Sequence, residues 1–259
     1  MLKAQRFALI EQLLKEQGGS LSTAEVIERL GVSRETARRD IQEMQQLGLL
    51  TKVRGGVVLN QVGNEPSYTT RTVAHMQQKR DIAELAVQFV EDGDTVFVDS
   101  GTTLMQFALA LTKKQRLTVL TNSLPIATLL CEHHVQVYVT GGRLREGDFA
   151  LTGSIAESVA DSLYVDKAFI GAGGVTVEHG VTDFHMEEVS LRKTVMAKAA
   201  HQYLLADSSK YGANAFVKLT DLAVFDAWVT DDGLPSDEEI RLKEAGIQVF
   251  VSPRTTQRH

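Results

Sequence analysis

The sequence predicts an α/β protein built from two domains of different kinds. Residues 1–59 combine three short helical stretches with a Gly-Gly hairpin, which is the pattern of a winged helix-turn-helix. Over residues 79–259, buried β-prone runs alternate with amphipathic helices, which predicts a mostly parallel sheet covered on both faces. Residues 60–78 are polar, contain Pro66 and lack clean periodicity, so we expect a linker, part of which could be helical.

The N-terminal domain begins with two predicted helices. Apolar residues recur at helical spacing in residues 3–17, and residues 20–30 form a second, shorter amphipathic stretch. Residues 31–33 then predict a tight turn, in which Ser33 is a good N-cap for a third helix over residues 34–47.

The third predicted helix has an apolar face and a basic face. Ala37, Ile41, Met44 and Leu47 fall in one arc of a helical wheel, whereas arginine and glutamine side chains fill a separate arc. Arginine can bond to guanine and glutamine to adenine in the major groove, although such a face could also be an ordinary solvated surface. The helix-turn-helix spacing and the Gly-Gly hairpin over residues 49–59 favour DNA binding. The candidate DNA-binding residues are Arg34, Glu35, Thr36, Arg38, Arg39, Gln42, Lys52 and Arg54.

The charge distribution agrees with DNA binding that is confined to the N-terminal domain. The whole chain has a net charge of -6, but residues 1–59 carry nine Lys and Arg residues against seven Asp and Glu residues. A mildly basic domain on an acidic body predicts that double-stranded DNA meets the first domain only. Asp40 lies toward the edge of the apolar arc, and we expect it to pair with a neighbouring arginine.

The sequence contains no pattern of a membrane segment or a secretion signal. No stretch approaches roughly 18 uncharged apolar residues, and charges interrupt the apolar residues near the N-terminus. The single Cys131 cannot form an internal disulfide and suits a reducing compartment. His133, His134, His179 and His185 lack the spacing of a metal cluster. We therefore expect a cytoplasmic protein with no membrane partner, no metal and no cofactor.

Seven β-prone runs predict the strands of the C-terminal sheet. They cover residues 95–99, 117–121, 135–140, 167–171, 203–207, 227–230 and 247–251, with helices expected over residues 79–91, 103–112, 123–133 and 235–245. In such sheets, ligands bind beyond the carboxyl ends of the strands.

Small and polar residues follow five of these strands. Residues 99–103, Asp-Ser-Gly-Thr-Thr, open a helix, so backbone N–H groups and two hydroxyls could cradle an anion there, unless the threonines only cap the helix. Lys210 could neutralise a phosphate or be a solvated loop cation, and Arg143 and Arg145 are weaker candidates for the same role. Five clusters at one sheet edge predict a binding site. The other four clusters are Thr121-Asn122-Ser123, Thr140-Gly141-Gly142, Gly171-Ala172-Gly173-Gly174 and Asp207-Ser208-Ser209-Lys210.

Two segments of the N-terminal domain resemble a known family. Residues 32–41, Val-Ser-Arg-Glu-Thr-Ala-Arg-Arg-Asp-Ile, followed by residues 54–57, Arg-Gly-Gly-Val, look like the signature of the DeoR family of bacterial sugar-metabolism repressors. The resemblance runs over nearly the whole chain, with Ala37 where the family more often has Ile. Helix-turn-helix proteins usually bind repeated half-sites as symmetric oligomers, so we also expect a homo-oligomer.

The resemblance includes the C-terminal domain, which in this family is similar in fold to ribose-5-phosphate isomerase. It implies that residues 101–103 and Lys210 hold the phosphate of a sugar phosphate. Glu188 and Arg192 fit the family's Glu-x-x-x-Lys pattern with Arg in place of Lys, and they would meet sugar hydroxyls or pair with each other along a helix. Gly173 stands where many relatives have Asp, which removes one acceptor for a hydroxyl. The candidate effector-binding residues are Asp99, Gly101, Thr102, Thr103, Asn122, Ser123, Gly141, Gly142, Gly171, Glu188, Arg192 and Lys210.

The expected function is a repressor that a phosphorylated sugar releases from its operator. An alternative of a different class is a phosphosugar isomerase with an appended DNA-binding module. Isomerase chemistry needs a carboxylate base near the phosphate, for which Glu188 and Asp99 are the candidates. An activator is a third alternative, because the sign of regulation depends on where the operator lies.

Overall fold

The computed structural model of the chain describes residues 3–17, 20–46, 49–53, 55–59, 65–133 and 135–253. Its N-terminal part has the element order of a winged helix-turn-helix. The elements are α1 (Lys3–Glu16), β1 (Ser20–Ser22), α2 (Thr23–Leu30), α3 (Arg34–Gln46), β2 (Leu50–Val53) and β3 (Gly56–Leu59).

The start of the second helix differs from the prediction. Ser20–Ser22 pair with β3 as an antiparallel strand, and α2 begins only at Thr23. The Ser22 hydroxyl accepts a hydrogen bond from the Glu25 N–H (3.1 Å), and the Glu25 carboxylate accepts one from the Ser22 N–H (2.7 Å). This capping box satisfies two backbone donors at the helix start, and it therefore fixes the boundary at Thr23.

The apolar arc predicted on α3 faces the core of the N-terminal domain. Ala37, Ile41 and Met44 are buried there, whereas Leu47 lies outside the described residues. The hairpin of β2 and β3 closes over the same core, with Leu50 and Val57 buried. These contacts hold α3 with its polar face outward.

The described part of residues 60–78 is largely helical and leads directly into the C-terminal domain. The Ser67 hydroxyl caps a short helix by accepting from the Thr70 N–H (3.2 Å), and the next helix begins at Met76, three residues before the predicted start. In chain order the elements of residues 65–253 are α4 (Tyr68–Val73), α5 (Met76–Ala86), β4 (Thr95–Val98), α6 (Thr102–Leu111), β5 (Thr118–Thr121), α7 (Leu124–Cys131), β6 (Gln136–Val139), β7 (Arg143–Leu144), β8 (Leu151–Thr152), α8 (Ser154–Asp161), β9 (Val165–Ile170), β10 (Gly174–Thr176), β11 (Gly180–Asp183), α9 (Met186–Met196), β12 (Ala199–Leu205), β13 (Val217–Thr220), β14 (Ala227–Thr230), α10 (Ser236–Glu244) and β15 (Val249–Val251).

All seven predicted strands lie in one parallel sheet, in the order β15-β14-β12-β9-β4-β5-β6. Apolar clusters cover both faces of this sheet, as predicted for a parallel sheet. The strand β12 begins at Ala199, four residues before its predicted start. Its first residues include the exposed His201, so the apolar signal begins only at Tyr203.

Two smaller antiparallel sheets were not predicted. One joins β10, β11 and β13, and the other is the β7–β8 hairpin. Their strands have two to four residues and are rich in Gly and Thr, so no alternating apolar pattern identifies them. No helix in the described ranges is long and apolar enough to cross a bilayer.

Candidate functional site

The polar face of α3 is an exposed surface of mixed charge. Arg38 and Arg39 expose 65% and 78% of their side chains and approach the Glu35 carboxylate only loosely, at 3.5 and 3.4 Å. Arg34 and Gln42 are also exposed. Pairs this exposed contribute little to stability, so the arginines can exchange Glu35 for another anion at small cost. This face has the chemistry that major-groove binding requires.

Two other predicted DNA-binding residues lie at the edges of this surface. Thr36 is half-buried, and its backbone N–H donates to the Ser33 hydroxyl (3.1 Å), so it forms part of the N-terminal cap of α3. Lys52 is exposed on β2 of the predicted wing. Arg54 lies outside the described residues.

A cavity of about 170 Å³ lies at the carboxyl ends of β4, β9 and β12. Residues that follow each of these three strands line it, together with side chains of α9 and of the segment 65–79. Gln45, Leu50 and Lys52 of the N-terminal part also border it. The cavity therefore lies at the edge of the sheet where the sequence predicts a binding site. Of the candidate effector-binding residues, those that line it are Gly101, Thr102, Thr103, Gly171, Glu188, Arg192 and Lys210.

The start of α6 presents backbone donors to this cavity. The first N–H groups of a helix have no partner within it, and the N-cap residue Gly101 has no side chain to supply one. Thr102 and Thr103 are buried beside the cavity. The positive end of the helix dipole and these donors give this part of the cavity a chemistry that favours an anion.

Lys210 reaches the cavity from a 3-10 turn after β12. The Asp207 carboxylate caps this turn by accepting from the Ser209 N–H (3.2 Å). Burial raises the pKa of Asp207, but Lys210 and His75 oppose that effect, and the net shift is downward. Among the described residues, the Lys210 ammonium has no ion-pair partner within 4.0 Å, so it is available to a bound anion.

Arg192 is a buried cation surrounded by three carboxylates. Its Nε lies 2.7 Å from Asp99, its Nη1 lies 2.6 Å from Asp183, and its Nη2 donates to Glu188 at 3.0 Å. The Nε and Nη1 contacts are ion pairs without hydrogen-bond alignment. Burial alone would lower the pKa of Arg192, but the three carboxylates raise it well above its ordinary value. The helical pair with Glu188 is present, and both side chains also line the cavity.

Glu188 is a buried carboxyl group whose pKa lies close to neutral pH. Burial raises its pKa to about 7, against the opposing effects of Arg192 and Arg145. Its Oε1 lies 2.7 Å from the Arg145 Nε, and its Oε2 accepts weakly from the Ser100 hydroxyl at 3.3 Å. Near neutral pH, Glu188 can therefore both accept and donate hydrogen bonds, which suits a sugar hydroxyl.

Asp99 does not line the cavity but lies beneath it. Its carboxylate accepts hydrogen bonds from the N–H groups of Gly171 (3.0 Å) and Ser100 (2.8 Å), and so it joins the loops after β4 and β9. Burial raises the pKa of Asp99, although Arg192 opposes the shift. Asp99 shapes the site without facing it, which corrects its expected role as a direct contact.

Four further candidates lie outside the cavity, because β5 and β6 end away from it. The Ser123 hydroxyl caps α7, and a Cβ at Gly142 would lie 2.5 Å from the Thr152 carbonyl oxygen, so both positions serve local packing. Asn122 is fully buried after β5, and among the described residues its side-chain amide has no hydrogen-bond partner. Gly141 packs near Ile155 of α8.

Several residues that line the cavity were missed, and six of them belong to the predicted linker. The sequence of the linker has no clear periodicity, and only Pro66 and the charged residues distinguish it. Charged and polar side chains on such a segment give no signal of the surface they will face. The missed lining residues include Glu65, Pro66, Thr70, Arg71, Ala74, His75, Lys79, Asp148, Asp183 and Phe184.

Gly173 has a physical partner in Phe184. A Cβ at Gly173 would lie 2.8 Å from the Phe184 ring and 3.1 Å from the Ala215 Cβ. The aromatic ring therefore fills the space that a larger side chain at position 173 would need. It also gives the cavity an apolar wall there.

Solved structures with partial similarity include two proteins of other functions. Ribose 5-phosphate isomerase A from Methanocaldococcus jannaschii is 19% identical, with a TM-score of 0.41 over 53% of this chain and 55% of that chain. Translation initiation factor eIF-2B from Pyrococcus horikoshii OT3 is 16% identical, with a TM-score of 0.43 over 60% of this chain and 62% of that chain. The chain thus spans between a half and two thirds of each, and similarity at this level says nothing about activity.

Curated relatives match over almost their full length, and the names of these three describe regulators rather than enzymes. The HTH-type transcriptional regulator GlpR of Haloferax volcanii is 35% identical over 96% of this chain and 98% of its own. The HTH-type transcriptional repressor GlcR of Bacillus subtilis is 33% identical over 97% of both chains. The lactose phosphotransferase system repressor of Staphylococcus epidermidis is 33% identical over 90% of this chain and 93% of its own.

Two family models account for both domains. Residues 6–62 match the DeoR-like helix-turn-helix domain, and residues 74–232 match the DeoR C-terminal sensor domain. Together with the exposed basic face of α3 and the cavity at the sheet edge, these matches establish that the chain belongs to the DeoR family of DNA-binding transcriptional regulators.

Proposed function

We propose that this regulator represses a carbohydrate-utilisation operon and is released from its operator when a phosphorylated sugar binds in the cavity. The observation that carries the proposal is that the start of α6 and Lys210 line the same cavity. A phosphate would accept from the backbone donors and pair with Lys210. Glu188 and Arg192 supply polar groups for hydroxyls. The name of one relative, a lactose phosphotransferase system repressor, agrees with a carbohydrate signal.

On the DNA side, we propose that α3 enters the major groove with Arg34, Arg38, Arg39 and Gln42. Glu35 would accept from cytosine or orient the arginines. The wing, with Lys52 and by sequence Arg54, would contact the sugar-phosphate backbone. The protein would act in the cytoplasm as a homo-oligomer, because paired half-sites require symmetric copies of the reading helix.

A thermal-shift screen against phosphorylated sugars tests the sensor half of the proposal. A ligand that binds only the folded state raises its stability by RT ln(1 + [L]/Kd), which is about 2.7 kcal/mol at a hundredfold excess over Kd. The effector should stand out from the matching unphosphorylated sugars. A flat response across the panel would contradict a sugar-phosphate sensor.

The Lys210→Ala variant tests the phosphate contact. It should fold and bind operator like the parent, because a loop cation contributes little to stability. The effector concentration needed for half-release should rise roughly tenfold to a hundredfold, the loss of about 1.5–3 kcal/mol expected for a charge-assisted contact. Operator binding is titrated with the effector found in the screen, at one fixed salt concentration.

Lys113→Ala is the matched control, because Lys113 follows the other end of α6 and pairs with Glu84 at 2.7 Å. Its release curve should coincide with that of the parent. If the Lys210→Ala curve also coincides, Lys210 does not bind the phosphate. If that variant fails to bind operator at all, either Lys210 has a structural role or the proposed sign of the switch is wrong.

A further inference from the structure

The segment that connects the two domains forms one wall of the cavity. Residues 65–75, which we call the strap, contain α4 and end at His75, where the backbone takes a left-handed conformation (φ 52°). A ligand in the cavity cannot avoid this wall. The strap residues that line the cavity are Glu65, Pro66, Thr70, Arg71, Ala74 and His75.

Glu65 holds the first end of the strap against the sensor domain. Its Oε2 lies 2.9 Å from the His185 Nε2 and 3.6 Å from the Arg145 Nη1, and its Oε1 lies 2.9 Å from the Arg71 Nη1. Burial raises the pKa of Glu65, but His185, Arg71 and Arg145 outweigh it and bring the pKa to about 2. A carboxylate held by three cationic groups is a charged latch between the strap and the body of the domain.

The other end of the strap is attached by Lys79 of α5. This buried lysine donates to the carbonyl oxygens of Arg71 and of Ala74, the latter at 2.7 Å. Between the two ends, the contact with the body is weaker, since the Arg71 Nη2 lies 3.8 Å from Asp148. The strap is therefore held by a few polar contacts rather than by an apolar core, and its one exposed large apolar residue, Val73, faces solvent.

The strap also lies close in sequence to the predicted wing. Residues 60–64 separate β3 from Glu65, and a chain of this length spans at most roughly 20 Å when fully extended. Release of Glu65 would therefore change the region that the wing can occupy. The same carboxylate touches the sensor domain, borders the cavity and begins the tether to the DNA-binding domain.

We propose that the strap is a latch that fixes the DNA-binding domain in its operator-binding state, and that Glu65 is the positioning residue that closes it. A ligand in the cavity releases the operator by displacing the strap, because the strap forms one wall of the cavity. The latch rests on the proposed function for its link to the operator, but its closure is a property of the ligand-free protein. Its test therefore uses no sugar phosphate, and a failed effector screen would leave this test intact.

The experiment compares the full-length parent with Glu65→Gln, in which the side chain keeps its shape and loses its charge. Backbone hydrogen exchange over residues 68–75 should be at least tenfold faster in the variant, with exchange in β4 and β9 unchanged. Affinity for a duplex selected in vitro with the parent should fall at least threefold. Glu132→Gln, at an exposed position after α7, should change neither quantity.

Unchanged exchange in the strap would overturn the latch. Faster exchange with unchanged duplex affinity would overturn its link to the DNA-binding domain. If exchange in β4 and β9 is also faster in Glu65→Gln, the test is repeated with His185→Gln. That variant removes the contact between His185 and Glu65 by changing the sensor domain instead of the strap. The same two results are expected of that variant, and their absence would equally reject the proposal.

Discussion

The buried guanidinium of Arg192 needs negative charge beside it, and the carboxylates that supply this charge shape the site. Leaving one partner of a buried ion pair alone costs several kcal/mol, so the carboxylates of Asp99, Asp183 and Glu188 and the guanidinium require each other. Three carboxylates around one guanidinium also repel each other. Glu188 is the carboxylate that can take up a proton and so relieve this repulsion, because burial and Asp183 raise its pKa to about 7. Near neutral pH, the Glu188 carboxyl can therefore offer a hydroxyl group either an acceptor or a donor.

The arginines of α3 carry the first prediction at this scale. The double variant Arg38→Ala plus Arg39→Ala should lose operator binding, because each bidentate base contact contributes about 1–3 kcal/mol and each phosphate contact adds about one to the salt slope. The affinity is measured as a function of salt concentration. Arg80→Ala plus Lys113→Ala removes the same charge from exposed positions of the sensor domain and should bind normally. Equal affinities for the two double variants would reject the placement of α3.

His185 carries a prediction about pH. Its Nε2 lies 2.9 Å from the Glu65 carboxylate and 2.6 Å from the Arg145 Nη1, and it cannot donate to one and accept from the other at once. The hydrogen bond with Glu65 raises the pKa of His185 above 6.5, against burial and Arg145, while Glu188 adds to the rise. A raised pKa stabilises the folded contact below pH 6.5 and loses that contribution as the pH rises through the folded value.

Strap exchange, corrected for the intrinsic pH dependence of the chemistry, should therefore be faster at about pH 9 than at about pH 6. His185→Gln should reduce the difference. The part that remains belongs to Lys79, because burial lowers the pKa of Lys79 to about 8 and its neutral amine holds the strap carbonyl oxygens less strongly. His201→Gln should keep the full difference, because His201 lies on β12 beside Asp226 at 3.5 Å. A pH-independent strap in the parent would show that His185 does not titrate against Glu65.

At the scale of elements, an ion pair sets how α1 meets α3. The Arg6 Nε and Nη2 lie 2.5 and 2.8 Å from the two Asp40 oxygens. The expectation that Asp40 pairs with an arginine is confirmed, although the partner comes from another helix. Asp40 is only 3% exposed on the inner side of α3, so its charge depends on Arg6. The polar face of α3 is thereby kept outward.

Arg6→Met should destabilise the N-terminal domain measurably, because it leaves the Asp40 carboxylate on the inner side of α3 without its cation. The measurement is the free energy of unfolding of this domain by urea. Arg29→Met, at an exposed position of α2, should stay within about 0.5 kcal/mol of the parent. A similar loss in both variants would mean that the Arg6–Asp40 pair has no special role.

At the scale of the whole molecule, we expect a homo-oligomer because of the way helix-turn-helix proteins bind DNA. One reading helix covers a single half-site, and the small N-terminal domain has little surface left for a large interface. One edge of the sheet, at β6, exposes Tyr138 and Val139, and Leu144 and Ile155 are also exposed. The sensor domain therefore offers the better surface for self-association.

The full chain, and a fragment of residues 65–259 that keeps the strap, should both be oligomers at micromolar concentration. Light scattering should give a multiple of the 28.4 kDa chain mass for the full chain. A monomeric fragment from an oligomeric full chain would place the contact in the N-terminal domain. A monomeric full chain would contradict a symmetric complex with paired half-sites.

The sequence by itself determined the two domain types, the helix α3 with its exposed polar face and the seven strands of the parallel sheet. These follow from local periodicity and capping, because a buried face repeats at the spacing of its element. It also located the loop of residues 101–103 and Lys210, since ligand loops follow strand ends in such sheets. Only the tertiary structure decided which loops share a cavity. Residues 122–123 and 141–142 follow strands as the others do, yet they lie outside it. Glu65 and Arg71 were missed because a polar segment buries its side chains against partners distant in sequence, and no local pattern encodes that contact.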